Sequence, residues 1–215
     1  MIVSLLQSSV LAAINAQRSG ALSDPYPGPV TVLSEIISDN VFDIVDVKGI
    51  GGSIKRAPAT GTATYFNGDG PRRHELRFIR YEEYLNQFNT PDGDWAKGMS
   101  RPDFIVHTLD SQDYFIIHEL SEGAIGSKRH KAVIQILNTV RFLSKIPDVK
   151  AYLDSFRERL CYVSAKGCVD IQSPRGMADG FMAIYGKLPD PLPIDNQSLV
   201  RMGFTTYASN VVKLS

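Results

Sequence analysis

The strongest constraint on the fold is a pair of apolar runs, Phe104–Leu109 and Tyr114–Leu120, separated only by Asp110 to Asp113. Neither run alternates apolar with polar residues, and that pattern belongs to strands covered on both faces. The connector is short enough to make them neighbours in an antiparallel hairpin at the centre of a sheet. From Lys128 to Lys145 the residues Val133, Ile136, Leu137, Val140 and Leu143 form one apolar helical stripe, which Pro147 ends. A second helix is expected over Val149–Arg159 and a strand over Leu160–Ala165. Strand, helix and strand in this order imply a parallel crossover. The fold class is therefore α/β, with a central mixed β-sheet flanked by helices.

The remaining chain is read around this centre. Leu5, Leu6, Val10, Ala13 and Ile14 recur at helical spacing and predict an amphipathic helix over 1–19. This segment lacks the basic start of a signal peptide, and Gln7, Ser8 and Ser9 interrupt its apolar run. Prolines and a glycine make Ser23–Pro29 a linker. A short helix is expected over Val30–Ser38, stopped by Asp39-Asn40. Val41–Lys48, Thr62–Phe66 and Glu75–Tyr81 read as strands, and Gly49 to Gly52 as a hairpin turn. Glu82–Ser100 reads as a long surface loop with room for one helical turn. The expected organisation is one domain over 1–215, with its core at about 30–165 and an extension at 173–215.

Charge and cysteine usage narrow the function classes. The 23 basic and 23 acidic residues cancel, so any polyanion must be met by a local patch. Cys161 and Cys168 provide neither a disulfide framework nor a zinc ligand set, and they suggest a reducing, cytoplasmic setting. No apolar stretch approaches the roughly 20 residues of a membrane-spanning helix, so no membrane partner is expected.

Chemistry concentrates where the two central runs end. Magnesium takes oxygen ligands, so metal-assisted phosphodiester cleavage needs carboxylates held rigidly together, with a cation near the attacking water or the phosphate. If Leu109 pairs with Asp113, Asp103 falls opposite Glu119, on the same face as Ser121. A slip of one residue would put the two carboxylates on opposite faces. Glu119 ends a strand that is apolar on both sides, where an ionised carboxylate costs several kcal/mol unless it is paired or metal-bound. An ion pair with Lys128 or Lys131 is the competing structural explanation.

Pro102-Asp103 followed by Glu119-Leu120-Ser121 resembles the motif of the PD-(D/E)XK nuclease superfamily, and the order of elements over about 30–165 is similar to its restriction-endonuclease-like core. The resemblance implies a nuclease acting on DNA or RNA with Mg2+ or Mn2+. It makes Asp103 and Glu119 metal ligands, with Glu35 as an additional acidic ligand. Ser121 stands where the family carries lysine, and relatives that place the lysine on the following helix point to Lys131 or Lys128. Gln135 resembles the substrate-contacting glutamine of some relatives, and Lys131, Gln135 and Asn138 share one helix face. The alternative is the same fold without catalysis, serving as a nucleic-acid or protein interaction module, including as a homodimer. A third reading gives Asp103 and Glu119 purely structural ion pairs.

Other motifs carry less. His118-Glu119 and His74-Glu75 lack the second histidine of a zinc-protease helix, and His118 reads as a core histidine facing away from Glu119. Lys128-Arg129-His130-Lys131 places cations at a helix start, against the dipole, which hints at an anionic partner. Arg72-Arg73-His74 is a second small basic group.

Overall fold

The computed structural model describes residues 1–20, 25–26, 28–47, 51–56, 61–68, 70–89, 100–121, 125–165 and 190–214. The N-terminal helix runs through α1 (Ile2–Leu5), a π turn (Leu6–Val10) and α2 (Leu11–Gly20). Ile2, Leu6, Val10 and Ile14 are all fully buried. Four residues overshoot one turn of a 3.6-residue helix by about 40°. The wider π turn takes up that drift and keeps all four on one face.

Two sheets follow. The larger has the order β1-β5-β6-β7-β8-β10-β9. Its strands are β1 (Ser34–Ile37), β5 (Leu76–Arg80), β6 (Phe104–Thr108), β7 (Tyr114–Ser121), β8 (Glu158–Ala165), β9 (Leu192–Pro193) and β10 (Thr205–Ala208). The smaller has the order β11-β4-β2-β3, built from β2 (Val41–Val47), β3 (Gly51–Lys55), β4 (Ala63–Asn67) and β11 (Val211–Leu214). β6 and β7 are the antiparallel hairpin at the centre, and β8 lies parallel to β7. That parallel crossover is made by α4 (Ile125–Ser144) and α5 (Pro147–Asp154). The short α3 (Tyr81–Asn86) follows β5 directly, and α6 (Gln197–Arg201) precedes β10.

Each face of the large sheet has its own core. Ile79, Ile105, Phe115, Ile117, Cys161 and Val163 pack against the helices, including Ile136, Val140 and Leu143 of α4. Phe78, Phe104, Val106, Ile116 and Leu160 on the other face meet Phe42, Ile44, Tyr65 and Val212 of the small sheet. The structure is thus α/β with a large mixed sheet, helices on one face and a second sheet on the other.

The expected helix over Val30–Ser38 is instead an extended segment containing β1, paired antiparallel with β5. Its β-branched residues Val30, Thr31, Val32, Ile36 and Ile37 suit a pleated edge better than a helix. The strand β3 begins within the glycines read as a turn, and it pairs antiparallel with β2 as a hairpin requires. The second crossover helix stops at Asp154, not Arg159, because Glu158 and Arg159 already belong to β8. Residues 90–99, most of the expected long loop, lie outside the described set, as does Cys168.

Candidate functional site

The β6–β7 register is the one that brings the carboxylates together. Phe104 pairs with His118 and Ile105 with Ile117, and extending this pairing by one residue places Asp103 opposite Glu119. Both lie on the side of Ile105 and Ile117, the helix-covered face. The five-residue connection from Leu109 to Asp113 is closed by the Thr108 hydroxyl, which donates to Ser111 O at 2.9 Å and accepts from Tyr114 N–H at 3.3 Å.

Backbone N–H groups act on both acids. Asp103 Oδ2 accepts from Leu120 N–H at 2.6 Å, and the N–H of Asp103 lies where it favours the ionised form of Glu119. Neither makes an ion pair among the described residues. Glu119 Oε2 is buried with no hydrogen-bond partner among the described residues.

More negative charge surrounds them. Tyr81 N–H donates to Asp103 O at 2.9 Å, which fixes the start of α3 beside the pair. Glu82 and Glu83 follow on that helix, and both buried oxygens of Glu83 lack hydrogen-bond partners among the described residues. Burial, opposed by the Leu120 N–H and reinforced by Asp46, Glu82 and Glu83, pushes Asp103 up to about 8. Burial, followed by repulsion from Asp103, Glu82 and Asp46, raises Glu119 well above the usual carboxylate range. Burial raises Glu82 and Glu83 too, against the pull of Arg101 on the first and Arg80 on the second. Asp46, Glu82 and Glu83 were not legible as partners of the pair. The one sequence signal was two adjacent acids directly after an apolar strand.

The remaining predicted residues are placed as follows. Glu35 does not join the site. It lies on β1 opposite Phe78, so it points toward the small sheet, and it pairs with Arg56 at 3.3 Å. Ser121 ends β7 opposite Ala165, two residues beyond Glu119 and on its face. Lys131 is exposed on α4 and Gln135 is half-buried. Lys128 is in α4, but its side chain lies outside the described residues. Thr139 on the same helix donates to Ser100 O at 3.1 Å, which anchors α4 to the segment leading into Pro102-Asp103.

His118 faces the other way, between the sheets. Its Nε2 lies 2.7 Å from Ser164 Oγ and its Nδ1 2.8 Å from the Tyr65 hydroxyl. Ser164 donates its proton to Ser209 O, so it can only accept from His118. The proton therefore sits on Nε2, and Nδ1 accepts from Tyr65. Burial lowers His118 to about 3, which keeps it neutral. It is a core histidine that links β4, β7 and β8.

Among the described residues no group of three or more His, Cys, Asp or Glu side chains is placed to hold a metal ion. Two carboxylates are nevertheless a sufficient protein contribution for magnesium, which keeps several waters and takes further oxygens from a phosphate. The oxygen-only donors, the partnerless Glu119 oxygen and the surrounding negative charge fit such an ion. No described helix is long and apolar enough to cross a membrane. Comparison of the chain with protein-family models, curated proteins and solved structures finds no match in any of the three.

Proposed function

We propose that this chain is a divalent-metal-dependent nuclease of the PD-(D/E)XK type, acting on DNA or RNA, with Asp103 and Glu119 holding Mg2+ or Mn2+. The observation that carries the reading is the facing of these two buried acids across β6 and β7, with neither in an ion pair among the described residues. Two buried carboxylates in mutual repulsion are unfavourable unless they take up protons or a cation. The order of elements, with three antiparallel strands, a crossover helix and a parallel strand, is compatible with the core of that superfamily.

A bound divalent ion would polarise the scissile phosphate and lower the pKa of a coordinated water. Asp103 and Glu119 would fix that ion at the sheet end, the first held by the Leu120 N–H of the neighbouring strand. Lys131 and Gln135, one turn apart on α4, would meet the substrate phosphate and backbone, the first as a point charge on a flexible stem.

Ser121 in place of lysine, together with the solvent exposure of Lys131, favours a second reading, a non-catalytic module that binds nucleic acid or protein. Cleavage of plasmid DNA and of RNA with Mg2+ or Mn2+ separates the two. The wild type should cut, Asp103→Asn and Glu119→Gln should lose at least about 100-fold, and Lys131→Ala should be impaired. Equal rates in all four proteins would assign the cleavage to a contaminant. Salt-sensitive binding of nucleic acid without cleavage would select the module.

A further inference from the structure

At the opposite end of the large sheet, α4, α5, β8 and α6 surround a cavity of about 320 Å3. Arg159 on its wall pairs with Phe115, whereas Val163 pairs with Glu119. About 13 Å of strand thus separates this cavity from the acidic pair. Its size is within the usual range of small-molecule sites. Lys150, Arg159 and Arg201 line it, and Asp154 is the one acidic residue on its wall among the described residues.

Several features fix the Arg159 guanidinium at this wall. Asp154 Oδ1 accepts from its Nη1, and the Phe204 ring lies 5.7 Å from its central carbon. Gly203, at φ +79°, leaves open the space that the guanidinium fills, where any β-carbon would overlap Nη2. Lys150 takes the other Asp154 oxygen. One carboxylate is therefore shared by two cations, and Arg201 has no acidic partner among the described residues. Among the described lining residues the balance is an excess of positive charge equal to a doubly charged anion. Leu153, Val200 and Met202 add apolar wall beside it.

We infer that this cavity binds a phosphomonoester, with Arg159, Arg201 and Lys150 as donors to its dianionic phosphate. A carboxylate or phosphodiester would neutralise only half of the excess, and planar guanidinium groups match phosphate oxygens two at a time. The same group is carried by small sugar phosphates and by the phosphorylated end of a nucleic-acid strand. The inference is independent of the metal-site proposal.

Titration with inorganic phosphate, followed by thermal shift and calorimetry at constant ionic strength, tests it. Phosphate should stabilise the wild type, and Arg201→Gln should weaken binding at least about tenfold, the usual scale for losing one charge-assisted contact. Arg159→Gln removes the Asp154 pair as well, so the exposed Arg201→Gln and Lys150→Gln carry the test if that variant fails to fold. Competition by ribose 5-phosphate alone assigns the small-molecule source. Competition by an oligonucleotide with a terminal phosphate, and not by its hydroxyl-ended twin, assigns the strand end. An equal shift with chloride, or unchanged phosphate affinity in Arg201→Gln, overturns the inference.

Discussion

Glu119 is a buried acid whose ionised form the fold opposes. Its Oε2 is buried without a hydrogen-bond partner among the described residues, and Asp103, Glu82 and Asp46 all oppose its charge. Glu119→Gln should therefore raise the stability of the metal-free protein at about pH 8 by about 1–3 kcal/mol. It should also abolish stabilisation by Mn2+, which for a site at 100-fold saturation is about 2.7 kcal/mol. Denaturant melts with and without Mn2+ measure both, and an unchanged Mn2+ response would refute the role of Glu119 as ligand. Tyr65→Phe addresses a different buried group. It leaves His118 Nδ1 without its donor and should cost about 1–3 kcal/mol in the same melts. At this scale the Asp103–Glu119 pairing was legible because the length of one local turn sets it. The contributions of Asp46 and Glu82 were not, since separate elements bring them to the pair.

Elements with a continuous apolar signal were read correctly, as β6, β7 and α4 show. Those set by pairing or by glycine were not. The segment over Val30–Ser38 has helix-compatible apolar spacing, and its β-branched residues together with the edge offered by β5 make part of it a strand. β3 opens with Gly51-Gly52, which have no side chain to announce a strand. Gly52 has a reason of its own, because a β-carbon there would overlap the Phe104 ring that fills the space between β3 and β6. Gly52→Ala should thus cost about 1–3 kcal/mol through overpacking. Phe104→Leu in the same chain should restore part of the loss, which a double-mutant cycle would read as coupling.

The whole molecule carries opposing pH dependences. Asp103, raised to about 8, and Glu119 bind protons more tightly in the folded state, so their contribution is complete below the unfolded carboxylate range and is lost as pH rises through about 8. His118 and His107, lowered to about 3 and about 4, contribute fully above their unfolded value and lose that contribution as pH falls toward those values. Thermal melts should show stability falling from about pH 6.5 to 8 without metal, and falling again below about pH 4. Mn2+ should flatten the upper slope, because the ion needs the ionised acids. The layering itself was beyond the sequence, since whether β2 and β4 join the central sheet or cover it depends on contacts far apart in the chain.

Residues 205–208 complete the large sheet beside β8, and residues 211–214 complete the small one beside β4. A chain synthesised from its amino end must therefore wait with two open flanks, Leu160–Val163 and Thr64–Asn67, until β10 and β11 are made. Unpaired flanks of this kind are templates for adhesion between molecules. A polypeptide stopped at residue 204 should accordingly be recovered in aggregates, however well its earlier elements form.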